Sequence, residues 1–237
     1  MIICLDPGHG GTDPGATANG IVEKEVNLAV ALLTKQMLRA HGYEAVLTRE
    51  DDTYLTHSAR AEVASRAKAN LFVSIHHNAA GDRYARGLEI YHSIIGGDSK
   101  RLAEFIHRRY RALIPELPTR GLRTRTQGDG RDYYAAIRLT SMPAIIIEGG
   151  FLTNAADAEL IKQQHFRERQ AQAISQGAIL WGGGNIMPDA PEWKKDGLKW
   201  LEEHRLVTPG RWQADDTLDM GTLGTILSNL SITGRNK

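Results

Sequence analysis

The sequence predicts an α/β fold with a mixed, largely parallel central sheet flanked by helices, followed by a small C-terminal helical module. Short apolar or β-branched runs alternate with longer stretches of helical periodicity, an order typical of strand–helix–strand units. Several of these runs lack alternating polar residues, as strands buried on both faces do. Beyond residue 181 the pattern changes to a glycine- and proline-rich segment and then to amphipathic helices.

The predicted elements follow in chain order. The first strand, residues 2–6, is apolar and is followed by Pro7. The first helix, residues 24–41, has apolar side chains at helical spacing and Gly42 where a C-terminal cap belongs. The later strands are runs bounded by glycine, proline, asparagine or charged residues, at residues 43–48, 70–76, 87–92 and 143–148. The later helices span residues 57–69, 98–114, 155–163 and 165–181.

The C-terminal part divides the chain into three predicted segments. Residues 1–181 form the main domain, and residues 182–191, which contain three glycines in a row and two prolines, form a linker. Residues 192–237 contain two amphipathic stretches that predict a helical hairpin. Because about 45 residues form only a marginal core, we expect this hairpin to pack on the main domain, on a partner or on a second copy.

The composition excludes several classes of protein. The chain has 237 residues, 41% of them hydrophobic and 24% charged, which is typical of a folded domain. A formal net charge of +1 gives no electrostatic argument for nucleic acid or a membrane surface as a partner. No apolar run approaches the ~18 residues of a membrane-spanning helix. The single cysteine, Cys4, excludes an intramolecular disulfide and a zinc site built from several thiolates.

Three polar signals follow predicted strands. His9 lies in a glycine-rich turn after the first strand, and His76 and His77 end the third. Glu148 ends a strongly apolar strand, where burial would raise its pKa toward the range useful for proton transfer. Because ligands bind at the carboxyl ends of strands in open α/β sheets, we expect these side chains to share one edge.

Two imidazoles and one carboxylate make the ligand set of a catalytic zinc site, with a fourth position open. Adjacent histidines on a strand point to opposite faces, so only one of His76 and His77 can join His9. Spacing alone leaves the carboxylate open, and the candidates near the first strand are Asp6, Asp13, Glu23 and Glu25.

These and further segments match a known family in order. They are Leu5-Asp6-Pro7-Gly8-His9-Gly10-Gly11 with Asp13-Pro14-Gly15-Ala16, Glu23-Lys24-Glu25-Val26-Asn27-Leu28, Leu47-Thr48-Arg49-Glu50-Asp51-Asp52, Ser74-Ile75-His76-His77-Asn78-Ala79, and Met142-Pro143-Ala144 with Glu148-Gly149-Gly150-Phe151-Leu152-Thr153-Asn154. Over residues 1–181 the chain resembles the zinc-dependent N-acetylmuramoyl-L-alanine amidases of the type-3 class, found in bacterial autolysins and phage endolysins. The resemblance implies their phosphorylase/hydrolase-like fold.

The resemblance also implies a site and a reaction. One Zn²⁺ ion would be held by His9, Glu23 and His76, and Glu148 would act as general base and acid on the attacking water. The bond cleaved would be the amide between N-acetylmuramic acid and the L-alanine of the stem peptide in peptidoglycan. The alternatives are another zinc peptidoglycan hydrolase, a carboxypeptidase or deacetylase, and a non-catalytic wall-binding module of the same fold.

The sequence also gives candidates for substrate binding and an expected cellular location. Asn78 and Arg131 are candidate substrate-binding residues. The arginine-rich stretch 101–138 could contact wall polymer or stem-peptide carboxylates, but for most of these arginines the favoured interpretation is a solvated helix face and loop. We expect no signal peptide, synthesis in the cytoplasm, and action on the cell wall after holin-type release or cell lysis. Peptidoglycan is the expected partner, with a homodimer through the C-terminal hairpin as a further possibility.

Overall fold

The computed structural model describes residues 1–186, and residues 1–185 form one compact unit. The prediction of a helical hairpin over residues 192–237 lies outside the described residues, as does the second half, residues 187–191, of the linker predicted over residues 182–191. Both stay predictions.

A six-stranded sheet forms the centre of this unit. Its strands are β1 (Ile2–Pro7), β4 (Glu44–Leu47), β5 (Leu71–Asn78), β6 (Leu88–His92), β7 (Thr119–Arg123) and β8 (Ala144–Phe151). They lie in the order β4-β1-β5-β8-β6-β7. A separate hairpin pairs β2 (Thr17–Ala18) with β3 (Ile21–Val22). The sheet is mixed because β6 pairs antiparallel with β8, while the other neighbours in the six-stranded sheet pair in parallel.

Helices cover both faces of the sheet, which confirms the predicted fold class. They are α1 (Glu23–Ala40), α2 (His57–Arg66), α3 (Gly97–Leu113), α4 (Ala135–Arg138), α5 (Ala155–Lys162) and α6 (Gln164–Trp181). Every strand and helix predicted within residues 1–181 is present, with shifts of a few residues at its ends. Four short elements, β2, β3, β7 and α4, have no counterpart among the predicted ones.

The two faces of the sheet have unequal cover. Long helices α1, α3 and α6 pack together on one face, against side chains such as Ile75 and Ile147. On the other face, Phe72 and Ile146 belong to a smaller cluster covered by α2 and the one-turn helix α4. The short cover leaves space beside the carboxyl ends of β1, β5 and β8, where the functional side chains lie.

Among residues 1–186, none of the helices is long and apolar enough to cross a membrane.

Candidate metal and catalytic site

The loop after β1 brings His9 to the carboxyl edge of the sheet in a constrained conformation. His9 has a φ of 60°, in the left-handed region that few residues other than glycine adopt. Two buried arginines hold the loop through its carbonyl groups. Arg49 donates to the carbonyl oxygens of Pro7 and Gly8 at 3.0 and 2.9 Å, and Arg60 donates to those of Pro7 and His9, both at 2.8 Å. These hydrogen bonds therefore fix the backbone around His9.

Arg60 also forms a buried ion pair with Asp6 at 2.8 Å. Burial alone would raise the pKa of the Asp6 carboxyl, but the Arg60 charge and hydrogen bonds from Thr48 and Ser74 hold it below its usual value. Asp6 is thereby committed to a structural role.

Three candidate ligand side chains converge beside this loop. Glu23 begins α1 and is buried, and His76 lies near the end of β5. The Oε1 atom of Glu23 lies 3.2 Å from Nε2 of His9 and 3.0 Å from Nδ1 of His76. One ligand atom from each of the three residues lies within 4.8 Å of the others, so the group is able to hold a metal ion.

The charges of this group are strongly coupled. Burial opposes charge on each member, but the attraction between them is larger. The two imidazoles hold the pKa of Glu23 well below its usual range. The Glu23 carboxylate in turn raises the pKa of His76 and, with Asp13, raises that of His9 to about 9. Because a metal binds only the unprotonated imidazoles, a metal would displace protons from the histidines here.

The geometry distinguishes among the four carboxylates that spacing leaves open. Glu25 is exposed, and Asp6 is paired with Arg60. Asp13 accepts a hydrogen bond from Nδ1 of His9 at 2.8 Å, on the far side of the ring from Glu23. Asp13 is therefore placed to orient the imidazole, as carboxylates behind metal-binding histidines do.

Two glycines leave the space that the histidine rings occupy. A Cβ atom at Gly8 would lie 2.1 Å from the imidazole of His76. At Gly15, where φ is +66°, a Cβ would lie 2.6 Å from the ring of His9 and 2.7 Å from Oε2 of Glu23. The candidate ligands thus pack directly against backbone that carries no side chain.

His77 points to the opposite face and is buried, as strand alternation requires. Its Nδ1 lies 2.9 Å from Oδ1 of Asn27, whose amide nitrogen donates to Glu23 at 3.2 Å. On the other side of the His77 ring lies Gln170 of α6, which donates to the carbonyl oxygen of Gly149 at 2.8 Å.

Burial lowers the pKa of His77 to about 4, so the ring is neutral. This buried network links Glu23 to the residue after Glu148. The sequence does not predict this network, because its members lie on four elements far apart in the chain, α1, β5, α6 and β8.

Glu148 lies opposite His76 in the parallel register of β5 and β8, and both side chains are partly buried. Burial raises the pKa of Glu148 to about 7; the nearby carboxylates Glu23 and Glu89 reinforce this rise, whereas His76 opposes it. A carboxyl group with such a pKa can both accept and donate a proton near neutrality.

A cavity of about 390 Å³ opens beside these residues. His9, His76 and Glu148 line it on the sheet side, and Tyr54 and Tyr134 line it from the connections after β4 and before α4. A small substrate group can therefore reach both the candidate ligands and Glu148.

The two candidate substrate-binding residues lie apart from each other. Asn78 ends β5, and its amide donates to Glu89 at 3.1 Å. Arg131 is exposed on the loop before α4, where its Nε donates to Asp129 at 2.8 Å. Neither side chain lines the cavity.

Known proteins have sequences similar to that of this chain. LytC of Bacillus subtilis (strain 168), named as an N-acetylmuramoyl-L-alanine amidase, is 39% identical over 181 residues, which are 76% of this chain and 35% of LytC. The endolysin of Bacillus phage SPP1 is 34% identical over 177 residues, 74% of this chain and 64% of the endolysin. This chain matches about a third of the length of LytC.

Solved structures extend the comparison. The catalytic domain of CwlV, an N-acetylmuramoyl-L-alanine amidase from Bacillus (Paenibacillus) polymyxa var. colistinus, superposes with a TM-score of 0.70 at 35% identity. That match covers 78% of this chain and 99% of the CwlV domain. A family model described as N-acetylmuramoyl-L-alanine amidase matches residues 3–179, from β1 into α6. This chain therefore belongs to the N-acetylmuramoyl-L-alanine amidase family.

Proposed function

We propose that this protein hydrolyses the amide bond between N-acetylmuramic acid and L-alanine in peptidoglycan, with one Zn²⁺ ion as cofactor. The observation that carries the proposal is the convergence of His9, Glu23 and His76 beside Glu148, with His9, His76 and Glu148 lining one cavity. The family match indicates the reaction, and the site contains the metal-binding group and the proton-transferring carboxyl group that this reaction needs.

The donor set fits zinc. Two imidazole nitrogens and one carboxylate oxygen are the ligands of many catalytic zinc sites, and Asp13 behind His9 provides the outer carboxylate that such sites use. When bound, zinc polarises a carbonyl group and lowers the pKa of water. We propose Nε2 of His9, Oε1 of Glu23 and Nδ1 of His76 as its ligand atoms.

Glu148 moves the proton in this proposal. Its carboxylate accepts a proton from the water that attacks the scissile carbonyl carbon. It then donates that proton to the amide nitrogen, so that the C–N bond breaks. The stem peptide leaves with L-alanine as its free amino terminus, and the oxygen of the water stays on the carbonyl carbon as part of a carboxylic acid. The raised pKa of Glu148 supports both steps, because a strongly acidic carboxyl would be a poor base and a weakly acidic one a poor acid.

Measurements of metal content and turnover distinguish the proton-transferring residue from the metal ligands. Glu148→Ala should retain zinc and lose most cleavage of purified peptidoglycan, whereas His9→Ala or His76→Ala should lose the metal itself. Glu25→Ala, which removes an exposed carboxylate near Glu23, is the matched control and should change neither property. Full turnover by Glu148→Ala, or by protein stripped with a chelator, would refute the mechanism.

Product analysis distinguishes the related hydrolases. An amidase releases new amino termini at L-alanine, a carboxypeptidase releases a terminal amino acid, and a deacetylase releases acetate. A non-catalytic wall-binding module would release none of the three. The presence of Glu148 with a complete ligand group disfavours that last reading.

We also propose that the protein acts at the cell wall, after holin-type release or cell lysis, and that residues 192–237 bind the wall or a second copy. A chain shortened after residue 187 should then lose wall retention or change its mass in solution. If neither changes, those residues serve neither purpose.

A further inference from the structure

Glu89 is a buried carboxylate that the proposed mechanism does not use. It lies on β6 directly opposite Glu148 in the antiparallel register, and its side chain is 6% exposed. His76, Glu148 and Glu89 therefore form a row across three adjacent strands, on the same face of the sheet. The row extends the site toward β7, away from the candidate metal ligands.

Two exposed arginines of β7 converge on this carboxylate. Arg120 donates from Nε to Glu89 at 2.7 Å, and its guanidinium lies 5.3 Å from the centre of the Phe151 ring. Arg123 approaches the same oxygen at 3.5 Å. Their side chains are 39% and 43% exposed.

The pair has unused binding capacity. Within residues 1–186, the terminal nitrogens of Arg120 make no protein hydrogen bond, and Arg123 makes only the long contact with Glu89. A single carboxylate cannot neutralise two guanidinium groups, so one positive charge remains beside the active-site row. A planar guanidinium fixed on one side presents its remaining donors to an incoming carboxylate.

The spacing matches a short peptide. Adjacent strands lie about 4.8 Å apart, so β6 is about 10 Å from β5. The guanidinium of Arg120 lies near β6, because its Nε contacts Glu89. Two extended residues span about 7 Å, which is sufficient to run from an amide held between His76 and Glu148 to the arginine pair.

We propose that Arg120 and Arg123 bind a carboxylate on the second residue of the stem peptide and thereby determine substrate specificity. This inference rests on the proposed amidase function and adds the direction of the substrate: the peptide extends from the metal site over β8 and β6 toward β7. Glu89 is a positioning residue in this arrangement, because it holds both arginines without touching the substrate.

Two muramoyl dipeptides test the inference. They differ only at the second residue, which carries a free carboxylate in one and a carboxamide in the other. The affinity of each dipeptide for zinc-loaded protein carrying Glu148→Gln is measured by calorimetry, so that no substrate is consumed.

The dipeptide with the free carboxylate should bind about fivefold more tightly for each arginine that contacts it, which is the size expected of half-exposed charge pairs. Arg123→Ala should reduce this preference, Arg123→Lys should restore part of it, and Arg123→Glu should reverse it.

A matched control removes a charge elsewhere. Arg39, exposed in the last turn of α1, lies at the helix end that leads into β4, and Arg39→Ala should leave the preference unchanged. Equal binding of the two probes, or a preference that survives Arg123→Ala combined with Arg120→Ala, would overturn the inference. Failure of the proposed function gives a different result, since protein with Glu148 intact would then cleave neither dipeptide.

Discussion

Replacing Gly8 with alanine tests whether close packing holds the metal site together. The added Cβ would lie 2.1 Å from Cε1 and 2.2 Å from Nε2 of the His76 ring. The backbone cannot retreat easily, because the Gly8 carbonyl accepts hydrogen bonds from Arg49 and Asn27 and its N–H donates to Ile75. We therefore expect the imidazole to move.

The magnitude follows from the geometry of metal coordination. Carbon and nitrogen atoms without a covalent bond approach to about 3.5 Å, so the ring must shift by about 1 Å or more. Metal–ligand distances are held within about 0.2 Å, so such a shift removes His76 from the ligand set. Changes to outer groups already cost 10–100-fold in metal affinity, and we expect a loss of at least about 100-fold for Gly8→Ala. Overpacking should also cost about 1–3 kcal/mol of stability.

Zinc affinity, measured by competition with a chromogenic chelator, is the assay. Gly81 has no atom within 4 Å of its would-be Cβ and no positive φ, so Gly81→Ala is the matched control and should bind zinc as the wild type does. Thermal unfolding of the metal-free proteins separates the ligand effect from a general loss of folding. If Gly8→Ala folds and binds zinc with unchanged affinity, the packing argument is wrong.

Two further predictions concern the carboxylates beside His9. Because the folded state lowers the pKa of Asp6, its ion pair with Arg60 should contribute full stability above about pH 4 and lose it as the pH falls further. Urea unfolding from pH 3 to pH 7 should show this acid-dependent component in the wild type and not in Asp6→Asn; equal pH dependence in both would contradict it. Asp13→Ala should weaken zinc binding about 10–100-fold through the freed His9 ring. Its metal-free unfolding temperature should stay close to that of the wild type, because Asp13 is 45% exposed; unchanged zinc affinity would refute its orienting role.

The sequence predicts the sheet and its long helices well because their signals are local. Apolar runs such as residues 143–148 and the periodic pattern of residues 24–41 need no distant partner to be recognised. The edge at which His9, His76 and Glu148 lie also follows from local information, since each lies in the second half of a buried strand or just after it.

Features that depend on distant pairing were not predictable in the same way. β7 contains two arginines and a glycine, and only its pairing with β6 identifies it as a strand. The partners of Arg49 also come from distant segments. Within the described part of the chain its guanidinium donates to backbone carbonyls of the loop after β1, of the start of α1 and of its own loop.

The reversed direction of β6 has a consequence for how this architecture can diversify. Since β6 runs against β8, it starts at the edge where β5 and β8 finish. The connection formed by residues 79–87 therefore leaves and re-enters the sheet on the same side, without a crossover beneath it. Lengthening such a surface connection costs little free energy. Residues inserted there would change the surface around the substrate while every strand keeps its register. Substrate selectivity could therefore change at this connection without any change to the hydrolytic site.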